Sequence, residues 1–207
     1  MAYSFDDLCR ELDVSRETSG KLKNYGELLI KWQKAKNLVS NSTLDDLWRR
    51  HFLDSAQMVP LLRDVYGEKK LNILDIGSGA GFPGLVLAIM GVGRAHMVEA
   101  NGRKCIFMRQ VSRETGAEAQ IYGDRIENMP TVDVDIITSR ACARVPQLLD
   151  WAEPFVKPPT EMWLLKGETA EEELTEAQAC WTMKAGRYKS LSDKSGVVLR
   201  LYDIKRK

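Results

Sequence analysis

The sequence has few of the residues that hold metals or form disulfides. Its 207 residues contain two histidines and four cysteines. The cysteines lie far apart, and none forms a CxxC pair or a cluster with His51 or His96, which are the spacings that zinc sites use. A set scattered in this way is not a disulfide framework either. We therefore expect a reduced protein without a bound metal.

A long apolar run is also missing. The longest, from Leu85 to Val92, is interrupted by Gly91 and is far shorter than the roughly 20 residues that cross a bilayer. The start of the chain is acidic and amphipathic, without the basic flank and apolar stretch of a secretory signal. These absences predict a soluble, cytoplasmic protein that does not contact a membrane.

Neither sign of charge dominates. The chain carries 30 Lys and Arg against 29 Asp and Glu, a formal net charge of +1, so its overall field does not attract a polyanion. The segment 184–207 is the exception, with eight Lys or Arg against two Asp. This segment is either an RNA-binding surface or the solvated edge of a hairpin that lysines protect from aggregation.

The first third of the chain is predicted to be helical. From Ser4 to about Arg63, apolar residues recur every three or four positions, which is the period of an amphipathic helix. The polar stretch 34–42 indicates a connecting loop. Candidate N-caps are Ser4, Ser15, and Ser42 or Thr43.

After the charged break at 67–70, short apolar runs alternate with helical patterns. The predicted strands are 71–76, 96–99, 120–123, 134–139 and 162–166. The predicted helices between them are 83–90, 102–115 and 144–151. Such alternation implies a parallel sheet that binds ligands at the carboxyl ends of its strands. The tail, 187–192 and 197–205, is predicted to form an antiparallel hairpin. We therefore predict an α/β fold with a mostly parallel, Rossmann-like sheet at 67–207 and a helical extension at 1–66.

A glycine-rich turn follows the first predicted strand. Gly77, Gly79 and Gly81 stand at alternate positions before a helix, an arrangement that lets the backbone turn tightly and approach a ligand. Glu99 ends the next predicted strand, close to the spacing at which an acid binds ribose hydroxyls. The alternative for Glu99 is an ordinary solvated charge at a strand end. Together the two features favour binding of a nucleoside cofactor.

The residues of the turn discriminate between cofactors. A dinucleotide needs a bare helix N-terminus for its pyrophosphate, whereas Asp75 brings a carboxylate towards this turn, and the glycine spacing is GxGxG in place of GxGxxG. An acid suits the cationic sulfonium and amino group of S-adenosylmethionine. The sequence therefore favours S-adenosylmethionine, and a nicotinamide oxidoreductase is the less favoured reading.

Cations follow three of the predicted strands. Arg125, Arg140 and Lys166 stand after the third, fourth and fifth strands, whose ends share one rim of a parallel sheet. Each alone is readily explained as a surface charge, but together they indicate an anionic, phosphate-bearing substrate. A second group is His51 and Asp54, three residues apart on one helix face. There the acid either orients the imidazole or simply pairs with it.

Several segments resemble the RsmG family, also called glucose-inhibited division protein B, of bacterial methyltransferases that make 7-methylguanosine in small-subunit (16S) ribosomal RNA. The resemblance runs from about Leu22 to Lys205. Its most specific segments are 32–38, 50–55, 75–84, 104–111, 139–141 and 165–167. It implies a Rossmann-like class I methyltransferase fold, with S-adenosyl-L-methionine as cofactor and S-adenosyl-L-homocysteine as product.

The resemblance also implies roles for individual residues. Cofactor contacts are expected from Gly77, Gly79, Phe82, Glu99, Ile126, Glu127 and Arg140. At the position of Glu99 the family usually has Asp, a difference that keeps the charge. Substrate-side or catalytic roles are expected for Asn37, His51, Arg125, Arg140 and Lys166. The expected partner is 16S ribosomal RNA or the small ribosomal subunit, and the expected oligomeric state is a monomer.

Guanine N7 carries an in-plane lone pair, so methylation there needs positioning and a matched field, with no general base. His51 is therefore expected to position the substrate. Since side chains cannot read the deep groove of an RNA helix, N7 is expected in a loop or an unstacked nucleotide. The alternatives are methylation of another RNA or of a small molecule, and an RNA-binding module without catalysis.

Overall fold

A computed structural model describes residues 3–207. Its N-terminal third is helical, as the apolar spacing predicts. The helices are α1 (Phe5–Leu12), α2 (Arg16–Lys36), a 3-10 turn (Asn41–Asp46), a π-helical turn (Trp48–Leu53), α3 (Asp54–Ala56) and α4 (Met58–Tyr66). The predicted N-caps Ser4 and Ser15 are confirmed, because each side chain accepts a hydrogen bond from a backbone N–H of the first turn.

The loop between α2 and the 3-10 turn is shorter than predicted. Helix α2 continues to Lys36 and ends at Asn37, which adopts a left-handed conformation with φ 43°. The next turn begins after Ser40, so the predicted N-cap at Ser42 or Thr43 is wrong. The reason is that Thr43 donates its hydroxyl to the Ser40 carbonyl, at 2.7 Å, and so lies inside the turn.

The rest of the chain alternates strands and helices. The strands are β1 (Leu71–Ile76), β2 (Gly93–Val98), β3 (Ala119–Tyr122), β4 (Ile136–Arg140), β5 (Glu161–Lys166), β6 (Trp181–Lys189) and β7 (Val197–Arg206). The helices are α5 (Gly84–Ile89), α6 (Gly102–Thr115), α7 (Val145–Ala152) and α8 (Ala170–Ala177), with 3-10 turns at Ile126–Asn128 and Glu153–Phe155. The acidic run 171–173 forms the first turn of α8, where the helix dipole favours negative charge.

The strands form one seven-stranded sheet in the order β3-β2-β1-β4-β5-β7-β6. The first five pair in parallel, whereas β7 pairs antiparallel with both β5 and β6. The mostly parallel sheet and the antiparallel C-terminal hairpin are therefore confirmed. Because the order reverses between β1 and β4, the carboxyl ends of these two strands flank the crevice where such sheets bind ligands.

Helices cover both faces of the sheet. Leu71 and Ile73 of β1 pack against α4 on one face, and the alternate Leu74 and Ile76 pack against α7 and α8 on the other. This alternation follows from the two-residue period of a strand. Helices α1, α2, α5 and α6 share a further core on the α4 side, which centres on Tyr25. Of the helices within residues 3–207, none is long and apolar enough to cross a membrane. The proposed division at residue 66 stays a prediction.

Candidate active site

The glycine turn closes tightly after β1. Gly77 has φ +69°, and a Cβ added there would lie 2.2 Å from the Cys142 Sγ atom; one added at Gly81, with φ +103°, would lie 2.6 Å from the Tyr25 hydroxyl. Left-handed backbone and close neighbours both require glycine at these positions. The turn therefore fits between the loop after β4 and helix α2 only because Gly77 and Gly81 lack side chains.

The carboxylate of Asp75 reaches the N-terminus of α5, as the sequence indicated, but it lies behind the turn, so the expected contact with a cationic ligand group is wrong. Asp75 is fully buried. It accepts a hydrogen bond from the Thr138 hydroxyl at 2.8 Å and one from the Gly84 N–H at 3.3 Å. Burial raises the pKa of this carboxyl to about 6. Asp75 thus ties β1 to β4 and to the start of α5 and supports the turn from behind.

Glu99 is held against the turn after the end of β2. One carboxylate oxygen accepts from the Gly79 N–H at 2.8 Å, and the other accepts from the Asn101 N–H at 2.8 Å. Each oxygen keeps a further lone pair for a ligand hydroxyl. This geometry supports the predicted ribose contact, because the acid is fixed at the same edge as the glycines.

A cavity of about 730 Å³ opens at this edge of the sheet. The predicted residues that line it are Asn37, His51, Gly77, Gly79, Glu99, Arg125, Ile126, Glu127 and Arg140. Apart from Phe82 and Lys166, the predicted cofactor and substrate groups therefore meet in one space. The cavity wall also includes residues that the sequence did not single out for the site: Ser40, Thr43, Ala100, Lys104, Asp124, Cys142 and Trp151.

This wall fits S-adenosylmethionine. Apolar side chains such as Ala100 and Ile126 can flank an adenine ring, and Glu99 can accept from ribose hydroxyls. Asp124, which follows β3, adds a second carboxylate that can accept from an amino group. The turn with Gly77 and Gly79 leaves room for the methionine part next to backbone groups. The donor and acceptor set thus suits a ligand with an aromatic ring, a diol and a cationic end.

Within residues 3–207, Phe82 is not one of the residues that line this cavity. It is 2% exposed and stacks on Tyr25, with ring centroids 5.1 Å apart and planes 11° apart. Its ring also lies 5.1 Å from the guanidinium carbon of Arg140. The ring of Phe82 therefore packs under Arg140 and does not face the main cavity.

Arg140 lies where two cavities meet, at the end of β4. It lines both the main cavity and a second cavity of about 290 Å³. Its guanidinium donates to the Arg50 carbonyl at 3.0 Å and lies 3.6 Å from the Asp54 carboxylate. Asp54 therefore pairs with Arg140 and not with the His51 imidazole, which corrects the pairing that the helical spacing indicated.

His51 is held as a neutral ring in one defined tautomer. Arg140 lies 3.0 Å from Nδ1, and Thr43 Oγ1 lies 2.7 Å from Nε2. Arginine can only donate, so Nδ1 must accept and Nε2 must carry the proton. The Thr43 hydroxyl donates its own hydrogen bond to the Ser40 carbonyl, so its oxygen is free to accept from Nε2. Burial, and then the charge of Arg140, lower the pKa of His51 to about 3.

The π-helical turn and a buried glutamine position these groups. The π-helical turn presents the buried His51 to Arg140, and such turns are frequent at functional sites. Gln33 accepts from the N–H groups of Leu38 and Val39, at 2.7 and 3.0 Å, and donates to the Val39 carbonyl. This holds the loop that begins with Asn37 against the cavity.

The three strand-end cations do not converge in one cleft, so that expectation was wrong. Lys166 lines the second cavity only, and its ammonium pairs with Glu173 at 2.7 Å while both side chains are almost buried. Arg125 is 70% exposed at the far side of the main cavity and pairs loosely with Glu127 at 3.4 Å. The sheet order explains the separation, since β2, β1 and β4 lie between β3 and β5.

Residues 18–200 match the sequence model of a family described as rRNA small subunit methyltransferase G. Curated relatives with the name Ribosomal RNA small subunit methyltransferase G are similar over nearly their full length. The relative from Rhodospirillum centenum is 48% identical over 203 residues, with 98% of this chain and 92% of the relative covered. The relative from Rhodospirillum rubrum is 46% identical over 196 residues, with 95% and 96% covered.

Solved structures with little sequence identity share the fold. A SAM dependent methyltransferase from Aquifex aeolicus superposes with a TM-score of 0.58 at 18% identity and covers 78% of this chain and 96% of its own. Magnesium protoporphyrin IX methyltransferase from Synechocystis PCC 6803, solved with bound SAM, has a TM-score of 0.62 at 10% identity, with 86% and 97% covered. The predicted Rossmann-like class I methyltransferase fold is thereby confirmed.

Proposed function

The chain belongs to the rRNA small subunit methyltransferase G family, and from this premise we propose that it methylates N7 of a guanine in 16S ribosomal RNA. Membership makes the chain a methyltransferase, and its cofactor is S-adenosylmethionine. When bound, that cofactor supplies a methyl group on a cationic sulfur. Gly77, Gly79, Glu99 and Ile126 would hold it.

One observation supports this proposal above the others. The main cavity has the glycine turn and Glu99 on one side, and Asn37, His51 and Arg140 on the other. A methyl donor and an acceptor must come within contact distance for transfer to occur. A single cavity that carries both sets of groups allows this without a large rearrangement.

The ring of His51 does not serve as a base in this proposal. Both of its nitrogens are engaged, and its lone pair already accepts from Arg140. Because guanine N7 attacks through its own lone pair, no proton has to leave before methyl transfer. His51 instead fixes the guanidinium of Arg140 and, through Thr43, the loop opposite. Its role is to keep the cavity in shape for the incoming ring.

The second cavity offers room for the purine. Its charges are paired internally: Arg50 with Asp193 at 2.6 Å, Lys166 with Glu173, and Arg140 with Asp54. A wall whose charges are already balanced suits a neutral polar ring better than a phosphate. The cavity shares His51 and Arg140 with the main cavity. An unstacked guanine that enters it would lie next to the methyl donor.

The decisive test uses small-subunit ribosomal RNA and small subunits from cells that lack the enzyme. Each is incubated with the protein and methyl-labelled S-adenosylmethionine, and the label is mapped by nuclease digestion and mass spectrometry. We expect 7-methylguanosine at one position in at least one of the two substrates. Label on another atom or base would overturn the N7 assignment while leaving methyl transfer intact.

Controls separate RNA from small-molecule methylation. Free GMP and GTP should receive no label, because they lack the flanking phosphates of an RNA chain; rapid labelling of either would favour the small-molecule alternative.

We propose that the protein acts in the cytoplasm, where ribosomal subunits are assembled. We also propose that it acts as a monomer, to be measured by sedimentation equilibrium.

A further inference from the structure

Two segments beside the main cavity carry cations without any acid. The stretch 28–44, at the end of α2 and the following loop, contains Lys31, Lys34 and Lys36 and no Asp or Glu. The stretch 102–113 of α6 contains Arg103, Lys104, Arg109 and Arg113 and again no acid. In a chain with nearly equal numbers of both charges, two such stretches concentrate positive charge.

These cations are not neutralised by other parts of the fold. Within residues 3–207, ion pairs are formed by Arg10, Lys21, Arg49, Arg50 and other basic residues, but by none of the seven in these two stretches. Six of the seven are exposed; Lys104 is half-buried and lines the cavity. Their charge is therefore available to a partner.

The two stretches adjoin each other and the cavity. Helices α2 and α6 pack together, with the rings of Trp32 and Phe107 5.7 Å apart. Asn37, at the end of α2, and Lys104, in the first turn of α6, both line the main cavity. The carboxyl end of α2 therefore lies beside the amino end of α6. We call these seven cations the α2–α6 basic face.

We propose that the α2–α6 basic face binds the phosphate backbone of the substrate RNA and directs the target nucleotide towards the junction of the two cavities. This inference rests on the proposed function, because it takes RNA as the substrate. Unpaired Lys and Arg release counterions when they meet phosphates, which favours binding to a polyanion. The loop 37–43 adds exposed amide and hydroxyl groups at Asn37, Ser40, Asn41 and Ser42, which also contact phosphates and sugars.

The C-terminal hairpin is the weaker candidate, although its sequence is more basic. Four of its cations are already paired: Lys184 with Asp203, Arg187 with Glu171, Arg200 with Glu161, and Arg206 with Glu153. The others lie at opposite ends. Lys189 and Lys194 are at the turn, whereas Lys205 and Lys207 are at the far end, where Trp181 pairs with Arg206. The hairpin thus lacks a continuous unpaired surface.

An RNA backbone also fits the form of the face better than an acidic protein does. Arg103, Ile106, Arg109 and Arg113 recur every three or four residues and so lie along one exposed side of α6. Ile106 is 57% exposed among them, where it can contact a ribose or a base edge. Because the cations form a row along two packed helices, they can contact successive phosphates of an RNA strand.

The test compares two double variants with the same change in charge. Lys34→Gln/Lys36→Gln alters the face, and Lys205→Gln/Lys207→Gln alters the far end of the hairpin. Binding of fluorescently labelled small-subunit ribosomal RNA is measured by anisotropy across a salt series, in the presence of S-adenosylhomocysteine. We expect the first variant to reduce the slope of log affinity against log salt by about 1.4 to 1.8, which corresponds to two lost phosphate contacts. The second variant should keep the wild-type slope.

Further measurements make each outcome decisive. Cofactor affinity and Tm of Lys34→Gln/Lys36→Gln should match the wild type, which excludes misfolding as the cause. Equal slopes for the two variants, or loss only for the hairpin variant, would overturn the proposal. Loss of binding to whole small subunits with unchanged binding to the RNA would assign the face to a ribosomal protein instead. If the wild type binds RNA through this face but transfers no methyl group, the proposed function fails and the docking surface stands.

Discussion

Arg140 and His51 form a hydrogen bond at the junction of the two cavities, and only Arg140 can be its donor. The guanidinium donates to Nδ1 at 3.0 Å, and Nε2 donates to Thr43 at 2.7 Å. A protonated imidazole would turn a donor towards a guanidinium that cannot accept. The neutral tautomer is therefore a condition for the observed position of Arg140.

Substitutions at His51 distinguish a positioning role from a catalytic base. The amide oxygen of His51→Asn takes the place of Nδ1 and can accept from Arg140, whereas His51→Ala leaves that donor without a partner. We expect His51→Asn to keep kcat within about tenfold of the wild type and His51→Ala to lose at least about 100-fold. Both are measured as initial rates of methyl transfer to RNA.

His51→Gln is the matched control, because its amide nitrogen takes the place of Nε2 and keeps only the Thr43 contact. It should behave more like alanine than asparagine. Equal losses of about 100-fold or more in all three variants would overturn this positioning role, and a pH–rate profile would then test His51 as a general base.

Arg140→Ala is expected to abolish methyl transfer, with a loss of at least about 100-fold in kcat/KM. It also leaves the half-buried Asp54 carboxylate without its cation, at a cost of about 1 to 3 kcal/mol of unfolding free energy. The double variant Arg140→Ala/Asp54→Asn removes that uncompensated charge. It should recover most of the stability, measured by urea unfolding, and none of the activity. Recovery of activity together with stability would make Arg140 a structural residue.

The glycine turn needs a left-handed backbone conformation and close neighbours, and a side chain would disturb both. Gly77→Ala forces a left-handed φ on alanine and places its Cβ against Cys142. We expect cofactor affinity to fall at least about tenfold, as measured by calorimetric titration, because the turn must shift to relieve a contact of 2.2 Å.

Gly116→Ala provides the control for this effect. Gly116 has φ +67°, with no atom near its added Cβ, and it ends α6 at the opposite end from Lys104. The substitution should cost about 1 kcal/mol of stability and leave cofactor affinity unchanged. If both variants bind the cofactor equally well, the fit between the turn and Cys142 is not needed for binding.

The strands and helices could be predicted because each buries a regular apolar pattern. Strand β1 and helix α6 were predicted with the observed bounds, while β2 begins three residues earlier than predicted because the polar Arg94 masks its start. The π-helical turn was not predictable, since its apolar spacing does not differ from that of an ordinary helix. Within this turn, Phe52 packs against both Trp48 and Tyr25.

Within the site, sequence placed residues at the right edge of the sheet but not the directions of their side chains. Asp75 and Phe82 turn inward, because Thr138 and Tyr25 provide their partners from distant segments. The partner of Lys166 is Glu173, seven residues later, in the first turn of α8. Sequence motifs predict which segments border the site, whereas the partner of each charged side chain depends on the assembled fold.

For the molecule as a whole, the buried neutral His51 links stability to pH. The unfolded chain binds a proton at this residue below about pH 6.5, whereas the folded chain does so only near pH 3. Since the unfolded state then binds more protons, stability falls as the pH decreases through this window. From pH 7.5 to pH 5 this residue should cost about 2 kcal/mol.

Comparison with His51→Asn isolates this contribution. Asp75 acts in the opposite sense, because its raised pKa makes the folded chain bind more protons between about pH 6 and pH 4, but it is present in both proteins. The wild type should lose about 2 kcal/mol more than the variant between pH 7.5 and pH 5, measured by urea unfolding at each pH. Parallel pH curves would show that His51 has the same pKa in the folded and the unfolded chain.

Helix α2 contacts the cofactor side of the site at one point and the proposed RNA side at another. Near its middle, the Tyr25 hydroxyl donates to the Ala80 carbonyl of the glycine turn at 2.6 Å, and at its end Asn37 borders the cavity beside the lysines. Twelve residues of helix separate the two points, a rise of about 18 Å. The length of α2 therefore sets the distance between the proposed RNA-binding lysines and the glycine turn that holds the cofactor. One inserted residue would lengthen it by about 1.5 Å and rotate its end by about 100°, so its length is as much a part of the site as any side chain.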